Sequence, residues 1–67
     1  MYKIMAKEDG DNRFSAISID NDGISITNRV LFTSFFNSKI EANRAMKHID
    51  ELAAKNGVKL ELKVVKQ

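Results

Sequence analysis

The sequence predicts a single small α+β domain of order βββαβ, with one helix packed on one face of a three- or four-stranded, mainly antiparallel sheet. Three observations carry this expectation. Apolar and polar residues alternate over segments near 2–7, 13–19, 24–34 and 58–66, the period of strands that bury one face. A helical period bounded by a start signal and a stop signal occupies 38–56. The three glycines, Gly10, Gly23 and Gly57, fall between these segments, where turns belong.

In the first strand Tyr2, Ile4 and Ala6 alternate with Lys3, Met5 and Lys7. Glu8-Asp9-Gly10-Asp11-Asn12 follows, a run of turn formers with no apolar residue. Ile17 and Ile19, then Ile24 and Ile26, flank Asp20-Asn21-Asp22-Gly23; this reads as a hairpin turning at Asn21-Asp22 or Asp22-Gly23, with all four isoleucines on one face. After Asn28-Arg29 the alternation shifts phase into Val30-Leu31-Phe32, consistent with a bulge in the third strand or a short extra strand. Ser38-Lys39-Ile40-Glu41 is a capping box that opens the helix, and Gly57 suits its C′ position. At about 100° per residue, Ala42, Ala45, Met46, Ile49, Leu52 and Ala53 form one stripe roughly 120° wide, the face a helix lays on a sheet. Val58, Leu60, Leu62 and Val64 alternate with Lys59, Glu61 and Lys63 in the last strand. In a simple meander the third strand returns towards the first loop, which places the helix N-terminus near Glu8, Asp9 and Asp11, where its dipole favours negative charge.

The 67 residues hold too little interior for two cores. Without Cys, the usual covalent staple of small domains is missing, so the apolar core carries stability unless a second copy or a partner buries more surface. The missing Cys also excludes a disulfide framework, thiol catalysis and thiolate metal sites, and fits a reducing, cytoplasmic setting. No apolar run reaches the length of a membrane span, and the N-terminus has no signal-peptide core. Frequent Lys, Ile and Asn with no Pro or Trp suggest AT-rich coding, as in a low-GC bacterium or its mobile elements.

Residues that carry chemistry do not converge. His48 is the single histidine and sits on the margin of the helical stripe, with no second His and no Cys to share a metal. Aligning Asp20-Asn21-Asp22-Gly23 with a calcium loop puts Ser18 at the first position and Arg29 at the twelfth, where a bidentate carboxylate is needed. The serines lie in neither a G-x-S-x-G nor an S-x-x-K setting, and the glycines are too dispersed for a phosphate loop. The expectation is a protein that is not an enzyme, with no catalytic residue, no metal, no cofactor, no membrane association and no evident small-molecule substrate.

The sheet face away from the helix is more informative. Met5, Phe14, Ala16 and Val65 are expected there as an apolar centre within a lysine rim, the layout of a protein interface. Phe35, Phe36 and Ile40 form a second candidate patch, because Ile40 points away from the buried stripe and adjacent phenylalanines in extended chain cannot both face inward. The partner is then another protein, or the chain itself as a homodimer. A free-standing domain of this kind would suit a phage or mobile-element modulator of a host factor, an anti-defence inhibitor by analogy. The alternative is an accessory DNA-binding protein in which Lys3, Lys7, Arg13, Arg29, Lys59 and Lys63 contact phosphates. The +2 net charge, from 11 basic and 9 acidic residues, requires those cations to be segregated on one face.

Three strands followed by a helix, with Phe36-Asn37-Ser38-Lys39-Ile40-Glu41-Ala42 at the junction, resembles the arm-site DNA-binding domains of phage integrases. Those domains carry a similar Phe-x-Thr-Lys-x-Glu-Ala and read DNA with the sheet, so the resemblance implies a DNA-contacting sheet face. A strand after the helix and the lack of a catalytic integrase segment depart from that pattern, and the family's function is not carried over.

Overall fold

The structure, a computed structural model, describes residues 1–21 and 23–67. Its elements are β1 (Tyr2–Glu8), β2 (Ser15–Asp20), β3 (Gly23–Thr27), a 3-10 turn (Val30–Phe32), β4 (Phe35–Phe36), α1 (Lys39–Lys55) and β5 (Leu60–Lys66). One helix thus packs on an antiparallel sheet of five strands, the α+β class the alternation and the capped helix imply.

β1 is the hub of the sheet. Along one edge it pairs with β5 over its full length, from Tyr2 opposite Lys66 to Glu8 opposite Leu60. Its other edge is divided: Met5 and Ala6 pair with Ala16 and Ser15 of β2, whereas Tyr2 and Lys3 pair with Phe36 and Phe35 of β4. Ser34 links β2 to this wedge. Its N–H donates to the Ile17 carbonyl at 2.9 Å, and its Oγ accepts from the Ile19 N–H at 2.8 Å. β3 pairs with the far side of β2, from Asp20 opposite Gly23 to Ala16 opposite Thr27. Gly23 has φ of +130°, a value that L side chains rarely adopt. The expected two-residue turn includes Asp22, outside the described residues.

Residues 28–34 do not continue the third strand, contrary to the expected range 24–34. Between Arg29 and Thr33 hydrogen bonds are made locally. The Arg29 N–H donates to Thr27 Oγ1 at 3.1 Å, the Phe32 N–H to the Arg29 carbonyl at 3.2 Å, and Thr33 Oγ1 to the same carbonyl at 2.9 Å. These bonds curl Val30-Leu31-Phe32 into the 3-10 turn, after which Phe35 and Phe36 rejoin the sheet as β4.

That detour reverses the expected placement of the helix. The chain arrives beside Tyr2 before α1 begins, and β5 starts opposite Glu8 just after α1 ends. The C-terminus of α1, not its N-terminus, therefore lies at the Glu8 end of the sheet, and the Asp9 N–H reaches the Lys59 carbonyl at 3.3 Å. Ser38 Oγ accepts from the Glu41 N–H at 3.2 Å and caps the start. A Schellman motif closes the end: Val58 N–H to Ala53 carbonyl at 2.8 Å, Gly57 N–H to Ala54 carbonyl at 3.1 Å, and Gly57 at φ +72°.

The buried cluster of Ile4, Ala6, Ile17 and Ile49 lies between sheet and helix. Phe36, Met46, Leu60, Leu62 and Val64 pack against it, and Ala42 and Ala53 are buried on the helix itself. Small side chains at positions 42, 45 and 53 let the helix approach closely. Its main contacts are with β5, β1 and β4, so β3 lies beyond its flank. Among the described residues no helix is long and apolar enough to cross a membrane.

Candidate protein interface

Cross-strand register assembles the outer sheet face. Phe35 and Val65 lie opposite Lys3, Ala16 and Lys63 opposite Met5, and Glu61 opposite Lys7. Phe14, just before β2, joins this face, because Lys63 Nζ stands 4.0 Å and Lys7 Nζ 5.4 Å from its ring centroid. Met5, Phe14 and Val65 thus share one face, as the alternation implies, Phe35 joins them through its pairing with Lys3, and all four are half-buried. The lysines do not form an outlying rim. Two of them lie over Phe14, a contact that contributes about 0.5–1 kcal/mol at exposed sites, while Lys7 Nζ also pairs with Glu61 Oε2 at 3.1 Å. Ala16 and Ser18 on the same face are buried.

The second expected patch is not assembled. Phe36 lies opposite Tyr2 on the helix side and packs against the core cluster, because side chains in a two-residue strand point to opposite faces. Phe35 is on the outer face, and Ile40, 66% exposed in the first turn of α1, is left without Phe36. The six proposed phosphate contacts do not form one surface either. Lys3, Lys7 and Lys63 share the outer face with Glu61, whereas Arg13 and Arg29 are exposed in loops and Lys59 lies in the connection before β5.

An exposed apolar surface that sequence reasoning missed lies on the helix side, beside β3. Ile17, Ile24, Ile26, Leu52, Val58 and Leu60 line a cleft of about 430 Å³. Ile26, expected in the core, is 41% exposed, because α1 does not reach over β3. Beyond Ile26 the surface continues to Phe32, which borders a depression shared with Ile26 and Arg29. In the adjacent turn Val30 is exposed and Leu31 is 94% exposed.

The backbone of β3 adds a second feature to this surface. In an antiparallel pair, residues alternate between those that bond to the partner strand and those whose N–H and C=O point away from it. The Ile17 carbonyl and the Ile19 N–H both serve Ser34, on the side of β2 away from β3. Ile17 and Ile19 face Ile26 and Ile24, so these are non-hydrogen-bonded pairs. Consequently the N–H and C=O of Ile24 and Ile26 point to the open edge of the sheet. β3 carries no charged side chain, unlike β5, the strand at the opposite edge, which carries Glu61, Lys63 and Lys66. Charges of that kind discourage edge pairing, and β3 has none of them.

Among the described residues no group of three or more His, Cys, Asp and Glu side chains is placed to hold a metal, and His48 is exposed on α1. Comparison with models of known families, with curated proteins and with solved structures finds no match. The likeness of residues 36–42 to integrase arm-site domains therefore carries no family assignment.

Proposed function

We propose that the chain is a small, non-enzymatic protein-binding module that acts through β3 and the adjoining cleft. One observation carries this reading: at Ile24 and Ile26 an uncharged open strand edge and an exposed apolar cleft coincide. Main-chain pairing at such an edge supplies affinity, and side-chain contacts in the neighbouring cleft supply selectivity. The 3-10 turn, with Leu31 almost wholly in solvent, extends the contact surface. The Lys-, Ile- and Asn-rich composition supports a setting in a phage or mobile element, with a cytoplasmic host protein as the factor inhibited. A photo-crosslinking residue introduced at Ile26 or Phe32 in expressing cells should give polypeptide adducts, and one at Lys47 on the exposed side of α1 should not. Equal adduct formation at all three positions, or none at any, refutes the reading.

The alternative, a DNA-binding accessory protein, is supported by Lys3 and Lys63 lying on one sheet face. It requires mixed-sequence duplex DNA to bind with an affinity that falls steeply with salt. No binding at low salt rejects it.

A further inference from the structure

Resting on that reading, we infer that the occupant of the β3 edge is a second copy of this chain, paired antiparallel about a two-fold axis through Ser25. The register follows from the strand itself. With Ser25 opposite its own equivalent, Ile24 of one copy faces Ile26 of the other. These are the residues whose N–H and C=O point outward, so the two Ile24–Ile26 pairs exchange four main-chain hydrogen bonds. On the helix side the same pairs bring four isoleucine side chains together, and the two clefts become one continuous apolar floor between two helices.

Charge selects this orientation. The β2–β3 hairpin carries Asp20 at its turn end, opposite Gly23, and Arg29 just beyond Thr27 at its other end. Antiparallel pairing sets the acidic end of each copy beside the basic end of the other. A parallel arrangement would set Asp20 beside Asp20 and Arg29 beside Arg29. An isologous contact of this kind closes on itself and leaves the charged β5 edges outermost, which stops further strand addition.

The test is sedimentation velocity of the intact chain from micromolar to millimolar concentration, with far-UV circular dichroism to verify folding of each variant. The expected result is a monomer–dimer equilibrium. Asp20→Arg and Arg29→Asp should each weaken it by about tenfold, the scale of two exposed ion pairs reversed per dimer. The combined variant should recover the wild-type constant, and Ile26→Asp should abolish the dimer. A chain that stays monomeric at millimolar concentration, a dimer indifferent to Ile26→Asp, or a double charge reversal without recovery would each overturn the proposal. The crosslinker at position 26 separates this from the broader reading. Adducts at twice the 7.6 kDa chain mass support the second copy. A monomeric chain that gives adducts of another mass keeps protein binding and removes the second copy. A monomeric chain with no adduct removes both.

Discussion

Truncation of Ile49 and of Ile26 to Ala tests where the helix sits, since Ile49 projects from α1 onto the sheet whereas Ile26, on the helix side of β3, lies beyond the flank of α1. Ile49 is 2% exposed and belongs to the central cluster with Ile4, Ala6 and Ile17. Removing three carbons there loses their transfer free energy and leaves a cavity, together about 2–5 kcal/mol. A domain of this length is expected to be stable by about 3–10 kcal/mol, so Ile49→Ala should take away a large part of its stability. Ile26 is 41% exposed at the mouth of a cleft open to water. No enclosed cavity forms when it is truncated, and the loss should stay near about 1 kcal/mol. The assay is urea unfolding followed by far-UV circular dichroism, at a concentration where sedimentation shows the chain monomeric. A cost for Ile26→Ala equal to or above that of Ile49→Ala would refute the placement of α1 over β1, β4 and β5.

Three further substitutions probe the devices that shape the sheet and its outer face. Ser34→Ala removes the acceptor of the Ile19 N–H and should cost about 1 kcal/mol in urea unfolding, with faster amide exchange at Ile19 as its local signature. Gly57→Ala forces a β-carbon into φ +72° and should lower stability by about 1 kcal/mol, although nothing lies within 4 Å of the added carbon. Lys63→Met keeps much of the aliphatic stem over Phe14 but removes its charge; the loss should be below about 1 kcal/mol, and a double-mutant cycle with Phe14→Leu should return most of it as Lys63–Phe14 coupling.

Local signals made most of the architecture legible. β1 and β5 follow from strict alternation, the isoleucine facing in the β2–β3 hairpin follows from period two, and α1 follows from Ser38, Gly57 and one apolar stripe. Three features depended on information that the local pattern does not carry. Val30-Leu31-Phe32 reads as strand by composition, but hydroxyl and carbonyl bonds from Thr27, Arg29 and Thr33 curl it into a 3-10 turn. β4 is two residues long, too short for any period, and its wedge between β1 and β2 depends on Ser34 meeting Ile17 and Ile19 across more than ten residues of chain. The direction of α1 follows from that wedge, so the expected proximity of its N-terminus to Glu8 was reversed.

The candidate site divides in the same way. Alternation placed Met5, Phe14 and Val65 on one face, because cross-strand neighbours share a side, but grouped Phe35 with Phe36 and Ile40; only the pairing of Phe35 with Lys3 puts it beside them. It could not show that Lys7 and Lys63 fold over Phe14, nor that Phe36 turns inward. The β3 edge was hidden for a different reason. Ile24 and Ile26 have the pattern of core residues; Ile24 packs partly against the core cluster, and only the lateral position of α1 leaves the cleft beside it open and Ile26 exposed. Their outward-facing N–H and C=O groups become evident only once Ile17 and Ile19 are seen to bond to Ser34.

Amide hydrogen exchange resolved at Ile24, Ser25 and Ile26 tests the open edge most directly. In dilute monomer the account predicts rapid exchange at Ile24 and Ile26, whose N–H groups face solvent, and protection at Ser25, which faces Ser18 in a hydrogen-bonded pair. Protected Ile24 and Ile26 amides with a rapidly exchanging Ser25 would contradict it.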